Sequence, residues 1–213
     1  MTEHRKCSNV DLVLASASPR RRDLLREIGL CFVVEPSAVE EAPLNGEAPE
    51  AQVCRLAREK AWDVAGRHPD SWVLGADTIV VIDGRILGKP SDVDEARAML
   101  GTLAGRTHVV FTGYALVHSR LPEGERVRFV RSEVYIRALS DEEIARYVNT
   151  GEPMDKAGAY AIQGIGSGIV ERVSGSYTNV VGLPLCEVAR DLKELGIFDF
   201  LKSRSPGNPL PAE

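Results

Sequence analysis

The run Trp72-Val73-Leu74-Gly75-Ala76-Asp77-Thr78-Ile79-Val80-Val81-Ile82 reads as a long aliphatic strand with a carboxylate in its middle. An ionised Asp77 in such surroundings is costly to desolvate unless a metal, a cation or hydrogen-bond donors hold it. Asp83-Gly84 follows at once as a two-residue hairpin signal. Gly88-Lys89-Pro90 then brings an ammonium group back toward the strand. Any fold for this chain has to place partners around that acid.

Strand and helix signals alternate on both sides of it. Leu12 to Ala15 reads as a buried strand and Pro19 to Ile28 as a helix stopped by Gly29, with Ser18 as N-cap and Pro19 at the first helical position. Phe32 to Pro36 reads as a short strand, followed by an acidic loop at Glu40-Glu41. Pro49 to Arg67 is a helix whose Val53, Leu56, Ala57, Ala61 and Val64 share one face, with Lys60 along that stripe. Arg85 to Leu87 pairs back across the hairpin, and Ser91 is expected to cap a helix from Asp92 to Leu103. Thr107 to Val117 and Val127 to Ile136 read as antiparallel strands, and Ser140 with Glu143 as a capping box. A glycine-rich run follows from Ala157 through Gly168, and Pro184 opens a last helix that ends before Gly196. Parallel crossovers mixed with hairpins imply an α/β fold with a mixed twisted sheet, flanking helices and two lobes around a central cleft. Residues 1–200 read as one domain and 201–213, rich in proline, as a disordered tail.

Composition narrows the function classes. A chain of 213 residues, 44% hydrophobic and 27% charged, has an ordinary globular profile. Its net charge of -5 argues against broad nucleic-acid binding while leaving room for a local cationic pocket. No stretch approaches the roughly 20 apolar residues of a membrane span. The stretch from Val10 to Ser16 is too short, and through Asp11 too polar, for a signal peptide. Cys7, Cys31, Cys54 and Cys186 show no C-x-x-C pair, which reads as reduced thiols in a cytoplasmic protein, and the four histidines show no ligand spacing.

Ser16-Ala17-Ser18-Pro19-Arg20-Arg21 puts a strand end, a polar turn and a helix N-terminus in succession, a ready anion site to which Arg20 and Arg21 add charge-assisted bonds. A capped helix with solvated arginines is an equally good account of that segment alone. Lys60, Lys89 and Lys156 are each unremarkable singly. Lys89 and Lys156 stand in tight segments from which a long side chain is easily aimed, and a triphosphate calls for several cations together. Asp77 is either the buried partner of one of these cations or a reacting group. Glu40 or Glu41 could join it as an oxygen ligand for Mg²⁺ or Mn²⁺ if their loop folds over the cleft. Gln163, before Gly164, could read a base edge or satisfy loop backbone.

Read together, Ser16 to Arg21, Leu56-Ala57-Arg58-Glu59-Lys60-Ala61, Gly75-Ala76-Asp77-Thr78, Leu87-Gly88-Lys89-Pro90, Asp155-Lys156-Ala157-Gly158-Ala159-Tyr160 with Gln163-Gly164, and Gly175-Ser176-Tyr177 through Val181-Gly182-Leu183-Pro184 resemble the Maf family of nucleoside triphosphate pyrophosphatases. The resemblance spans roughly residues 10 to 195 and implies a fold related to the inosine triphosphate pyrophosphatases. It implies hydrolysis between the α- and β-phosphates with a divalent cation, Mg²⁺ or Mn²⁺. It makes Asp77 the proton acceptor and associates Arg20, Thr78 and Gln163 with the choice of substrate. Gln163-Gly164 resembles the subgroup acting on dTTP and UTP. A second subgroup acting on 7-methyl-GTP, and a nucleotide-binding regulator of septum formation, are the alternatives. Ser16, Arg21, Lys60, Lys89 and Lys156 are expected along the phosphates, and Glu41 with Asp77 at the metal. The expected partner is a small nucleotide, with no nucleic acid and no membrane; a homodimer is left open.

Overall fold

The computed structural model of the protein describes residues 12–199; Cys7, His4 and the proline-rich tail fall outside them. The chain runs β1 (Leu12–Leu14), α1 (Pro19–Glu27), β2 (Val33–Val34), α2 (Pro49–Ala65), β3 (Trp72–Ile82), β4 (Arg85–Leu87), α3 (Val93–Leu103), β5 (Thr107–Val117), β6 (Glu125–Ile136), α4 (Asp141–Asn149), β7 (Val170–Ser174), α5 (Tyr177–Val181) and α6 (Leu185–Glu194). Three short 3₁₀ turns, Glu152–Asp155, Ala157–Ala159 and Gly164–Gly168, connect α4 to β7.

The sheet is mixed, in the order β2-β1-β3-β5-β6-β7, with β4 attached to β3. β1 pairs parallel with β3 from Trp72 to Leu74, and β4 pairs antiparallel with Val80 to Ile82. Because β5 occupies the other edge of β3 along Val73 to Val81, β1 and β4 share one edge. Both strands end facing the unpaired stretch between Leu74 and Val80. That stretch is a notch in the sheet, and Asp77 and Thr78 lie in it.

The two faces of β3 follow strand alternation. Leu74 and Ala76 pack with Leu12, Leu14, Leu116, Val188 and Leu192, while Val80 and Ile82 pack with Leu100, Val134, Tyr147 and Val148. These two clusters are the cores of the two lobes. The opposite face, through Val73, Ala115 and Val117, meets Ala57, Ala61 and Val64 of α2. There α2 lies unusually close. A Cβ on Gly75 would sit 2.2 Å from the Ala57 carbonyl oxygen, and one on Gly113 would sit 2.3 Å from that of Val53. Asp77 stands on the same face, two residues after Gly75 and opposite Gly113 in register.

Local signals worked as expected at the Ser18 N-cap, at the Ser140–Glu143 capping box, and at the hairpin, where Asp83 and Gly84 adopt φ of 50° and 74°. Several boundaries differ. Asp92, not Ser91, is the N-cap of α3, its side chain accepting from the Glu95 amide; Ser91 instead donates from its amide and hydroxyl to Glu95 Oε2, both at 2.7 Å. The strand expected over Phe32 to Pro36 shrinks to two exposed valines, because it pairs only with the short β1. β6 begins at Glu125, and α2 ends at Ala65. β7 and α5 were not foreseen. Cys54 and Cys186 carry free thiols.

Gly75→Ala is expected to force α2 off the sheet and destabilise the protein by about 2–3 kcal/mol, the usual cost of overpacking. Urea unfolding measures it; an unchanged midpoint would show that the close approach is not a constraint.

Candidate active site

A cleft of about 600 Å³ opens at the notch, in the size range of small-molecule sites. Ser16, Arg20, Arg21, Glu41, Lys60, Asp77, Thr78, Lys89, Lys156 and Gln163 all line it. They arrive from several parts of the chain: Asp77 and Thr78 stand on β3 itself and Glu41 on the loop before α2. The turn after β1 and the start of α1 supply Ser16, Arg20 and Arg21. The turn after β4 supplies Lys89, the 3₁₀ segment supplies Lys156 and Gln163, and α2 reaches over the sheet with Lys60. Glu40 is exposed and does not line the cleft, so of the two loop acids only Glu41 reaches it.

Asp77 is 5% exposed and Lys60 6%, and their side chains meet at 2.7 Å, Nζ to Oδ1. The same ammonium donates to Glu41 Oε1 at 2.6 Å. Burial pushes the Glu41 carboxyl up, but the Lys60 hydrogen bond and charge, with Lys89 and Arg21, outweigh it and hold the group below the usual carboxylate range. The Glu41 loop is tied down by Arg55, which donates to the Ala42 carbonyl at 3.1 Å and grips Glu47 through two nitrogens at 2.7 and 2.8 Å. Among the described residues, the second oxygens of Asp77 and Glu41 have no hydrogen-bond partner.

Arg21 differs from every other arginine near the cleft. Its guanidinium donates to the Gly182 carbonyl at 2.8 Å, to Ser16 Oγ at 3.0 Å and to Thr78 Oγ1 at 3.0 Å. All three acceptors are neutral, and among the described residues no carboxylate lies within ion-pair distance of it. Burial lowers its pKa, against the attraction of Asp77 and Glu41. Thr78 is itself backed by Thr112, hydroxyl to hydroxyl at 2.9 Å, and Thr112 donates to the Asn179 carbonyl at 2.9 Å. A half-buried cation held only by neutral groups is arranged to receive an anion.

On the opposite wall Asp155 takes Arg20 on one oxygen at 3.2 Å and Lys156 on the other at 2.6 Å. Lys89 is exposed in the cleft, with no ion pair among the described residues. Gln163 is exposed as well, its side chain without a hydrogen bond among them. The sequence reading missed Glu152, which lines the cleft and accepts from Tyr147 and two backbone amides. In sequence it is a lone acid just past the end of α4, with no pattern to set it apart. Tyr160, also lining the cleft, is tied through its hydroxyl to buried His108 at 2.7 Å.

The described residues include no cluster of three or more His, Cys, Asp or Glu side chains suited to a metal ion. Asp77 and Glu41 nevertheless converge on one cation, and a pair of carboxylates plus substrate phosphates is the donor set Mg²⁺ ordinarily uses. No helix among the described residues is long and apolar enough to cross a membrane.

Comparison of the sequence with known proteins points to one family. Residues 11–195 match the Maf family, described as Maf-like protein. A dTTP/UTP pyrophosphatase of Myxococcus xanthus is 54% identical over 186 residues, covering 87% of this chain and 93% of its own. One from Geobacter metallireducens is 53% identical over 188 residues, covering 88% and 97%. Among solved structures, a HAM1 protein from Coxiella burnetii aligns at 17% identity with a TM-score of 0.45, covering 87% of this chain and 100% of its own.

Two outcomes test this geometry. Lys60→Met should strand a buried carboxylate and destabilise by about 3–5 kcal/mol, whereas Lys60→Met with Asp77→Leu should recover most of that loss; equal stability of the two variants would rule out a buried pair. Burial also pushes the His108 imidazole down to about 4 from 6.5. The unfolded chain then takes up a proton that the folded one refuses. His108 therefore subtracts nothing above pH 6.5 and costs stability progressively as pH falls toward 4, by at most about 1.4 kcal/mol per unit. Unfolding midpoints between pH 6.5 and 5, above the carboxylate range, should fall for the parent and stay flatter for His108→Gln.

Proposed function

The chain belongs to the Maf family, and from that premise we propose that its cleft hydrolyses dTTP and UTP to the monophosphate and pyrophosphate. The observation that carries the reading is Arg21, a cation seated among neutral acceptors at a helix N-terminus, with Arg20, Lys89 and Lys156 around it. A triphosphate supplies the missing negative charge. The net charge of -5 favours such a small substrate over a nucleic-acid backbone.

In this reading water attacks the α-phosphorus, the bond from that phosphorus to the bridging oxygen breaks, and pyrophosphate leaves. Asp77 accepts the proton from the attacking water and Lys60 keeps the carboxylate aimed from above the sheet. Arg21 and Lys89, with Arg20 and Lys156 released from Asp155, stabilise the charge that grows on the departing pyrophosphate. Ser16 and the α1 N-terminus add donors to a phosphate oxygen. Asp77 and Glu41 would hold a divalent cation, Mg²⁺ or Mn²⁺, which when bound supplies further charge neutralisation on the phosphates. Thr78 serves the site through Arg21, whose Nη2 it accepts. Gln163 offers a donor and an acceptor to the pyrimidine edge. Every group comes from one chain, so the open possibility of a homodimer is not needed to complete the site. We assign this activity to a single unit over residues 1–200 acting in the cytoplasm, in a house-cleaning role.

The test is pyrophosphate release over a panel of dTTP, UTP, CTP, GTP and 7-methyl-GTP, with Mg²⁺ and with Mn²⁺. Preference for dTTP and UTP supports the reading, and preference for 7-methyl-GTP would move the chain to the other subgroup. Asp77→Asn should lower turnover by at least about 100-fold with folding preserved. Near-parental turnover would remove Asp77 from its role.

A further inference from the structure

Gln163 has no side-chain anchor among the described residues, yet a group that reads a base edge must stand in one place. Its backbone surroundings supply that place. On one side the Ala161 amide donates to Tyr147 Oη at 3.0 Å. On the other, the Ile165 amide donates to Glu152 Oε1 at 3.0 Å and the Gly166 amide to Glu152 Oε2 at 2.8 Å. The Tyr147 hydroxyl in turn donates to the same Glu152 oxygen at 2.7 Å. One hydrogen-bonded pair thus grips the chain two residues before Gln163 and two and three residues after it.

The loop is cut to fit that pair. A Cβ on Gly164 would lie 2.3 Å from Glu152 Oε1, and its φ of +67° disfavours other residues independently. A Cβ on Gly166 would lie 2.5 Å from the Tyr147 hydroxyl and 2.2 Å from the Ala161 carbonyl. The 3₁₀ turn that starts at Gly164 has no side-chain cap of its own from Gln163. Glu152 does that work across the turn. Burial pushes its carboxyl up, but the Tyr147 hydroxyl and the two amides more than offset this, so it is held below its usual range as an anion. Tyr147 is 5% exposed, belongs to α4 and does not line the cleft.

We propose that Tyr147 and Glu152 are positioning residues for base selectivity: the pair sets where Gln163 stands, so a helix outside the cleft governs which pyrimidine is accepted. This rests on the reading of Gln163 as the base-edge contact, and the experiment separates the two. The discriminating substrates are UTP and CTP, whose bases differ at the edge by a carbonyl against an amino group. Tyr147→Phe keeps volume and charge but removes both hydroxyl bonds. Glu152→Gln keeps shape but cannot accept at every bond.

The preference for UTP over CTP, as a ratio of kcat/KM, should fall about 10-fold in each variant, as expected when a polar contact is misplaced. Tyr147→Phe should keep kcat on UTP near the parent value, with the loss in KM. The double variant should lose no more than Glu152→Gln alone, because the two act as one unit. Gln163→Ala is the reference. If Gln163→Ala abolishes the preference while Tyr147→Phe keeps it, the positioning proposal is overturned and the Gln163 reading stands. If Gln163→Ala leaves the preference intact, the Gln163 reading fails and the proposal with it. A Tyr147→Phe protein that loses kcat equally on both nucleotides would show a merely structural role and also overturn it. Should Glu152→Gln not fold, Tyr147→Phe decides the matter.

Discussion

Helix α2 can bring an ammonium group onto the middle of a buried strand only because two glycines let its backbone sink into the sheet. Gly75 and Gly113 leave no room for a Cβ beneath the carbonyls of Ala57 and Val53. At that depth Lys60 extends along the face to Asp77, the next residue on the same side of β3. A buried ion pair is poor evidence for stability, since apolar residues of similar size often serve as well. What the pair secures is placement: an acid held in one orientation at the rim of a cleft. Glu41, closing on the same ammonium, makes the lysine a shared pivot between the sheet and the loop before α2.

The location of the cleft follows from strand lengths. β1 stops after three residues and β4 after three, and both lie along the same edge of β3. The unpaired stretch between them leaves that edge of β3 without a strand partner at Asp77 and Thr78, which both line the cleft. Loops leaving β1 and β4 start at this gap, so their cations fall around it without any further device. This is the general situation of ligand crevices beyond the carboxyl ends of strands in open α/β sheets. A protein with a net charge of -5 thereby gathers five cationic side chains, Arg20, Arg21, Lys60, Lys89 and Lys156, around one cleft.

Much of this was legible in the sequence where the physics is local. The Asp77 anomaly, the capped start of α1 and the apolar stripe of α2 with Lys60 on it each depend on neighbours within a few residues. That the expected site residues lie in one cleft is not local: their spacing along the chain says nothing of distance in space, and it is the resemblance of the linked motifs to one family that joins them. What the sequence could not reveal depends on remote contacts. β7 is an edge strand recruited by β6, mostly exposed and without the alternation that marks a half-buried strand. Glu152 looks like an ordinary helix-end acid until the turn from Gly164 to Gly168 folds back over it. The expected strand at Phe32 failed similarly: β1 is too short to pair with more than two residues.

Arg21 shows how these remote contacts act on the site. Its three acceptors belong to the turn after β1, to β3 and to the end of α5, which are far apart in sequence. Thr78 is steadied by Thr112, and Thr112 by the carbonyl of Asn179, which is fully buried and in turn bonded to Val110 and Ser132. None of these groups carries a charge, so the chain can fix the guanidinium without neutralising it. A carboxylate in the place of Thr78 or Gly182 would hold Arg21 more tightly and would cancel the charge that a phosphate needs. The buried hydroxyls and amide on the face of the sheet away from α2 are therefore the counterpart of the Lys60–Asp77 pair: one side of β3 anchors an acid with a cation, the other anchors a cation with dipoles alone.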